Sequence, residues 1–108
     1  MKIKTAELQG AALDWAVWRI EHGNAKLDDE LIAALAPFSP STDWAQGGPI
    51  IERNRMYIRP YYNDPPGQWC AECGAEFTFG PTPLVAAMRC YVASKLGDEV
   101  EIPKELLK

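Results

Sequence analysis

The sequence has little cysteine and histidine, and this scarcity limits the chemistry that it can support. Its 108 residues include three cysteines and one histidine. A small, odd number of cysteines argues against a disulfide framework and favours reduced thiols. The single histidine, His22, could serve as a general base, but the sequence has no serine or cysteine in a recognisable nucleophile motif for it to activate. The sequence therefore favours a protein that is not an enzyme, and it predicts no cofactor.

Long apolar runs and an excess of basic residues are also absent. No apolar stretch approaches the roughly 18 residues of a membrane span, and the first residues lack the apolar segment of a secretory signal. The net charge is −4, whereas general nucleic-acid binding depends on cations that contact phosphates. We therefore expect a cytoplasmic protein that contacts no membrane and is not a general nucleic-acid binder.

The residues that are present predict one domain over residues 1–108, with a long helix near each end. Hydrophobic residues make up 47% of the chain, which is typical of a globular domain. The first helix runs from about Ala6 to Glu21 after Thr5, and the last runs from Pro83 to Leu96 after Thr82. The first is apolar over more than one face, so we expect the sheet to cover one side and a second helix or a subunit to cover the other. A subunit there would make a homodimer, which we predict.

Shorter elements fill the middle of the chain. Helical patterns cover Asp28–Leu35 and Thr42–Asn54, the second broken at its two glycines. A period of two over Arg55–Tyr62 predicts a strand that lies at an edge or ends early, because Pro60 lacks a ladder donor. Two more short strands follow, at Gln68–Cys73 and Ala75–Phe79, with Phe77 and Phe79 facing the core. The sequence therefore predicts an α+β fold, in which an antiparallel sheet of about three short strands packs with two long helices and shorter helical segments.

Polar and turn-forming residues are concentrated around the broken helix, beyond what helix capping needs. Loops of this kind on a rigid scaffold often hold ligands. The predicted ligand-binding residues here are Ser41, Thr42, Asp43, Trp44, Gln46, Gly47, Gly48 and Arg53. The segment Gln46–Pro49 could form an anion pocket, since glycines let backbone N–H groups approach a phosphate. The alternative is a tight turn that lets Trp44 pack.

Cations and aromatic rings alternate along the following strand. The side chains that share one strand face are those of Arg55, Tyr57, Arg59 and Tyr61. Such a strip suits a ligand that carries both a phosphate and a base, and we add Arg55, Tyr57 and Arg59 to the candidate site. The alternative is a solvated face that pairs with Glu76 and Thr78 across the sheet.

Cys70 and Cys73 have the spacing at which two thiolates can share a metal ion or form a redox disulfide. A structural zinc site normally needs four ligands, and the other candidates are Cys90 and His22. The pattern favours ordinary hairpin residues, so no metal is predicted. Zinc binding and a thioredoxin-type redox pair stay as alternatives for Cys70 and Cys73.

Three segments carry a family resemblance. They are TAELQGAALDWAV at residues 5–17, SPSTDWAQGGPIIER at 39–53 and GPTPLVAAMRCYVASKLG at 80–97. Together they resemble the NinX-like family of small bacteriophage proteins, and the layout is also similar to the phage αβα-sandwich domain. The resemblance implies an α+β domain that acts in the host cell cytoplasm, and it transfers no catalytic residues.

These patterns predict a non-enzymatic phage accessory protein that acts by binding. The leading hypothesis is that it sequesters a small nucleotide-like host signal, as an anti-defence protein would. The alternative is a protein-interaction module that modulates a host protein through exposed Trp18, Trp44 or Trp69, since aromatic residues are common interface anchors. A small metal-dependent enzyme is the least supported alternative.

Overall fold

The computed structural model describes residues 1–23, 38–62 and 67–107. Its helices are α1 (Gly10–His22), α2 (Trp44–Arg53) and α3 (Pro83–Leu96). Its strands are β1 (Lys2–Lys4), β2 (Tyr57–Tyr61), β3 (Gln68–Cys73), β4 (Glu76–Gly80) and β5 (Glu99–Glu101). Short 3₁₀ turns cover Thr5–Glu7 and Lys104–Leu107. The predicted helix over Asp28–Leu35 lies outside the described residues. Within those residues, no helix has the length and apolar character to cross a membrane.

The described strands form two antiparallel sheets, which confirms the α+β class. The order β2-β3-β4 gives the predicted three-stranded sheet, with the proline-containing β2 at an edge. A second sheet joins β1 to β5, and its register pairs Ile3 with Val100. This sheet was not predicted from the sequence, because its two strands are three residues long and lie near opposite ends of the chain.

The prediction of two long helices is wrong. α1 has 13 residues and α3 has 14, close to the average of about 11–12 in globular proteins. α1 begins at Gly10 rather than Ala6, because the chain first makes the turn at Thr5–Glu7 and then extends through Gln9. The bounds predicted for α3 are confirmed, with Thr82 as N-cap and Gly97 ending the helix at a φ of 87°.

The second helix is continuous, so the predicted break at its glycines is wrong. α2 runs through Gly47 and Gly48 and also contains Pro49. Interior glycine and proline lower helix propensity, but here the helix is held by its N-cap and by packing against its neighbours. The glycines therefore lie inside the helix instead of in a loop before it.

The core forms around α3, which packs on the inner face of the three-stranded sheet and on α1. Nine residues of α3 are buried. Six consecutive residues of α1, Ala12–Val17, are buried as well. The broad apolar surface of α1 is thus covered within a single chain. The feature that predicted a homodimer has an intramolecular explanation.

Phe77 and Phe79 lie on the outer face of the sheet, so the prediction that they face the core is wrong. On the inner face, the positions that pack closest to α3 are small, while Ile58 and Trp69 lie further out on that face. Ala71 is fully buried, and the Thr78 hydroxyl donates a hydrogen bond of 2.8 Å to the Ala86 carbonyl of α3. Sheet and helix approach so closely that the bulky phenylalanines fit only on the opposite face.

Candidate functional site

A cleft lies where the turn at residues 39–43 and the start of α2 meet the start of α3. Its volume is about 240 Å³. The residues that line it are Ser41, Thr42, Trp44, Thr82, Pro83, Leu84 and Val85. Three of these residues, all on the α2 side, were predicted from the sequence to bind a ligand. The α3 side was not predicted, because its only signal in the sequence is a helix-capping pattern.

A closed hydrogen-bond network builds the α2 side of the cleft. Asp43 caps α2 by accepting from the Ala45 N–H at 2.9 Å. The Gln46 side chain accepts from the Ser39 N–H at 2.7 Å and donates to the second Asp43 oxygen at 3.0 Å. The Asp43 N–H in turn donates to the Ser39 carbonyl at 2.8 Å. Asp43 and Gln46 therefore hold the turn in shape behind the cleft lining.

Gly47 lets α2 approach the turn and α3. A Cβ at this position would lie 2.5 Å from the Pro40 carbonyl oxygen and 2.7 Å from Leu84 Cδ2, whereas one at Gly48 would meet nothing within 4 Å. The Gly47 N–H donates to the Asp43 carbonyl at 2.9 Å. This N–H is therefore paired inside the fold, and Gly47 shapes the cleft through its small size.

Two helix N-termini meet at the cleft. Helix N-termini carry partial positive charge, and the N–H groups of a first turn have no intrahelical acceptor. In α3 the Val85 N–H is capped by the Thr82 hydroxyl at 3.1 Å. Trp44 is the first residue of α2 and lies at the rim of the cleft, where it is 56% exposed. At α2 the Asp43 carboxylate offsets the partial positive charge, whereas the cap of α3 is a neutral hydroxyl. The cleft thus combines the electropositive start of α3 with an accessible indole.

Asp14 of α1 lies behind the cleft and supports Ser41. Asp14 is only 8% exposed, and its Oδ1 accepts a hydrogen bond of 2.9 Å from the Ser41 N–H. Burial raises the pKa of Asp14, and the hydrogen bonds from Ser41 oppose that rise. Asp14 was not predicted as part of the site, although an aspartate between Leu13 and Trp15 in an apolar helix is a usable signal.

Arg53 does not reach the cleft, because it lies at the opposite end of α2. A rise of 1.5 Å per residue separates it from Trp44 by about 13 Å along the axis. Its Nη2 donates to Glu21 at 2.7 Å and to the Tyr91 hydroxyl at 3.4 Å, while Tyr91 donates to Glu21 at 3.0 Å. The hydrogen bond to Glu21 raises the pKa of Arg53. Arg53 therefore links α2 to α1 and α3.

Arg55 follows α2 in a left-handed backbone conformation, with a φ of 51°. Its N–H donates to the Glu52 carbonyl at 3.1 Å, and the Met56 N–H donates to the Ile51 carbonyl at 3.2 Å. This is the Schellman pattern of helix termination, in which glycine usually takes the left-handed position. An arginine there carries a conformational cost.

The predicted strip on β2 lies on the exposed face of the sheet. We call this surface the outer sheet face, formed by Tyr57, Arg59, Tyr61, Glu72, Phe77 and Phe79. Register places Tyr57 opposite Glu72, which pairs with Phe77, and places Arg59 opposite Cys70, which pairs with Phe79. The strip therefore adjoins Phe77 and Phe79, and the predicted pairing with Glu76 and Thr78 is wrong.

Aromatic rings dominate the outer sheet face. Tyr57 is 60% exposed and Phe77 is 62% exposed. The Tyr61 and Phe79 ring centroids lie 4.7 Å apart, and those of Phe77 and Phe79 lie 6.0 Å apart. None of these residues lines the cleft. The residues predicted as one site therefore divide between the cleft, the helix junction at Arg53 and the outer sheet face.

The three cysteines are free thiols. Cys70 pairs with Phe79 on the outer face and Cys73 pairs with Glu76 on the inner face, because residues three apart on a strand point to opposite sides. This geometry disfavours a metal ion or disulfide shared by the two. Burial raises the pKa of Cys90 to about 11. The described residues contain no cluster of three or more side chains suited to metal binding.

The fold and the cleft define a small α+β domain with a ligand-sized opening between two helix starts. The sequence model of the family described as Bacteriophage P22, NinX matches residues 4–95. This range covers most of the chain, so the protein belongs to the NinX family of bacteriophage proteins. It also includes every residue that lines the cleft. No curated protein matches the chain.

Proposed function

We propose that this protein is a non-enzymatic phage accessory protein that binds a small nucleotide-like ligand in the cleft. The observation that carries the proposal is the N-terminus of α3, capped by a neutral hydroxyl, beside an exposed tryptophan. Helix N-termini favour phosphate groups, and an exposed indole offers a stacking surface for a base. Trp44 and the first turn of α3 are the groups that would recognise the two ends of such a ligand.

The size of the cleft favours partial enclosure of the ligand. Ligand pockets usually measure about 300–1,000 Å³, and this cleft measures about 240 Å³. A phosphate and sugar would fill it, while the base would lie at the rim against Trp44. The ligand would therefore be held at two points and remain partly exposed.

The chemistry of the lining favours binding without turnover. The lining side chains supply two threonine hydroxyl groups, an indole and apolar surface, while the Ser41 hydroxyl is buried. None of the lining side chains is ionisable. In an infected cell, a phage protein that holds a host signal nucleotide without converting it would lower the free concentration of that signal. We therefore assign the protein an anti-defence role in the host cytoplasm.

A thermal-shift screen of linear and cyclic nucleotides tests the proposal. A ligand at about 100 times its Kd stabilises the folded state by about 2.7 kcal/mol. We expect at least one nucleotide to raise the Tm of the wild type and of Tyr57→Ala, a matched aromatic control on the outer sheet face. Trp44→Ala should lose most of that rise. No rise at millimolar nucleotide, or an equal rise in both variants, would contradict the proposal.

The outer sheet face favours a second candidate function, a protein-interaction module. Tyr57 and Phe77 are both mostly exposed there, and such aromatic residues anchor many interfaces. Trp44 is the most exposed of the three tryptophans predicted as anchors, since Trp18 and Trp69 are half-buried. Capture of one discrete host protein by the wild type, lost with Tyr57→Ala and retained with Trp44→Ala, would support this function.

We also propose that the outer sheet face forms the interface of a homodimer. Arg59 and Glu72 give it both charges, so a two-fold axis could pair each residue with its opposite in a second copy. Light scattering at micromolar concentration should then report twice the chain mass for the wild type. Arg59→Glu, which places like charges together, should give the single-chain mass. A monomeric wild type would contradict the dimer.

A further inference from the structure

The free edge of β4 borders a groove. β4 is an outer strand of the three-stranded sheet, paired on one side with β3. A groove of about 340 Å³ separates its other side from the turn at Thr5–Glu7. Its lining includes Thr5 and Ala6 on one side and Phe77 on the other. An exposed strand edge offers backbone donors and acceptors to a further strand.

The strand register shows which backbone groups face this groove. The pair Cys73 and Glu76 closes a two-residue hairpin loop, and antiparallel pairing then turns alternate residues away from the partner strand. Phe77 and Phe79 are the residues turned away from β3. The Phe79 carbonyl accepts a hydrogen bond of 2.9 Å from Arg89 Nη1 of α3, as this assignment requires. The N–H and carbonyl of Phe77 therefore point into the groove.

Arg89 also limits the length of the free edge. Its Nε donates to the Leu8 carbonyl at 2.7 Å, so its guanidinium bridges β4 and the segment before α1 beyond the groove. A strand residue occupies roughly 160 Å³ from its spacing along and across a sheet. A groove of about 340 Å³ then accommodates about two residues, one of which can pair with Phe77.

The charges around the groove select the partner. Three of its lining residues are acidic, namely Glu76, Asp98 and Glu99, against one cation, Lys4. The exposed Phe77 ring provides an apolar surface that the stem of a lysine or arginine can cover, and it can also contact the cation. Repulsion from the carboxylates disfavours a nucleic acid here. The groove therefore suits a basic peptide chain.

We propose that the free edge of β4 binds an extended, basic segment of a partner protein as an added strand. The N–H and carbonyl of Phe77 exchange two hydrogen bonds with one residue of that segment. Lysine or arginine side chains next to it contact Glu76, Asp98 and Glu99. This site is separate from the cleft and stands independently of the nucleotide proposal.

Nitrogen-15 NMR of the full chain tests the proposal with two ten-residue peptides, one alternating Lys and Val and the other alternating Glu and Val. The Lys/Val peptide should shift the amide signals of Phe77, Ala6 and Asp98, with an affinity that falls as salt rises. The Glu/Val peptide should leave them unmoved. Absence of these shifts with the Lys/Val peptide, or equal shifts with both, would overturn the proposal.

Substitutions separate the charge contribution from the backbone contribution. The double variant Asp98→Asn/Glu99→Gln should weaken Lys/Val binding about fivefold, since exposed ion pairs are individually weak. Glu52→Gln, on the exposed side of α2, should bind as the wild type does. Unchanged affinity in the double variant would overturn the role of the acidic rim.

The backbone pairing is tested at Phe77 itself. Phe77→Pro removes the N–H that faces the groove at an edge position where proline is tolerated, whereas Phe77→Thr removes the ring and keeps the N–H. Binding should be at least tenfold weaker in Phe77→Pro than in Phe77→Thr. Equal affinities would overturn strand addition. If Phe77→Pro does not fold, the Phe77 amide shift and the rim variants still decide the question.

Discussion

Asp14 carries an electrostatic cost at the scale of single residues. Its carboxyl is buried behind the cleft and its pKa is raised above 3.8. The unfolded chain releases this proton at a lower pH than the folded chain does, so stability falls as pH rises through the raised pKa. Burial therefore disfavours the charged form of Asp14 in the folded state.

Replacing Asp14 by Asn should stabilise the protein at pH 7. The Asn amide oxygen can still accept from the Ser41 N–H, but no charge is buried. The gain should shrink towards zero below about pH 3.8, where the wild-type carboxyl is protonated in both states. Urea denaturation at pH 7 and about pH 3 measures this difference. Glu52→Gln controls for net charge, and a gain that is equal at both pH values would contradict the assignment.

Arg55 holds a strained backbone position at the end of α2. Glycine adopts the left-handed conformation without steric cost, so Arg55→Gly should raise the free energy of unfolding by about 1 kcal/mol. Arg55→Ala removes the same side chain and keeps the strain, so its stability should stay near that of the wild type. The midpoint of chemical denaturation measures both variants. A stabilised alanine variant would show that the side chain, and not the backbone, sets the cost.

At the scale of elements, adjacent glycines of α2 should respond to alanine in opposite directions. Gly47→Ala places a methyl group against Pro40 and Leu84, and overpacking of this kind costs about 1–3 kcal/mol. Gly48→Ala meets open space and gains helix propensity, about 0.5–1 kcal/mol. Thermal or urea denaturation of the two variants provides the comparison. Equal effects would contradict the close approach of α2 to the cleft lining.

Local signals predicted elements well, whereas long-range packing decided the rest. Thr82, Pro83 and Gly97 fixed α3, because capping and termination depend on neighbouring residues. Which face of β4 is buried depended on tertiary packing. The sheet approaches α3 closely at Ala86, and this contact excludes Phe77 from the inner face. The β1–β5 pair has no local signal, since Ile3 finds its partner only when the chain ends meet.

At the scale of the whole molecule, the same limit applied to the candidate site. Ser41, Thr42 and Trp44 could be predicted because turn residues exceeded what capping needs. Their neighbours across the cleft, around Leu84, lie some forty positions later and showed only a helix start. The prediction for Arg53 failed because this residue is close to the polar turn in sequence but lies at the opposite end of α2 in space. The assembled site therefore depends on tertiary contacts.

The central claim is that the cleft between α2 and α3 binds a nucleotide-like ligand. Nitrogen-15 NMR titration with linear and cyclic nucleotides tests it most directly, because each amide signal reports its own position. We predict shifts at Thr42, Trp44 and Leu84 for at least one nucleotide, with the amides of β2 unmoved. Unchanged cleft signals at millimolar nucleotide, or shifts confined to the outer sheet face, would contradict the claim.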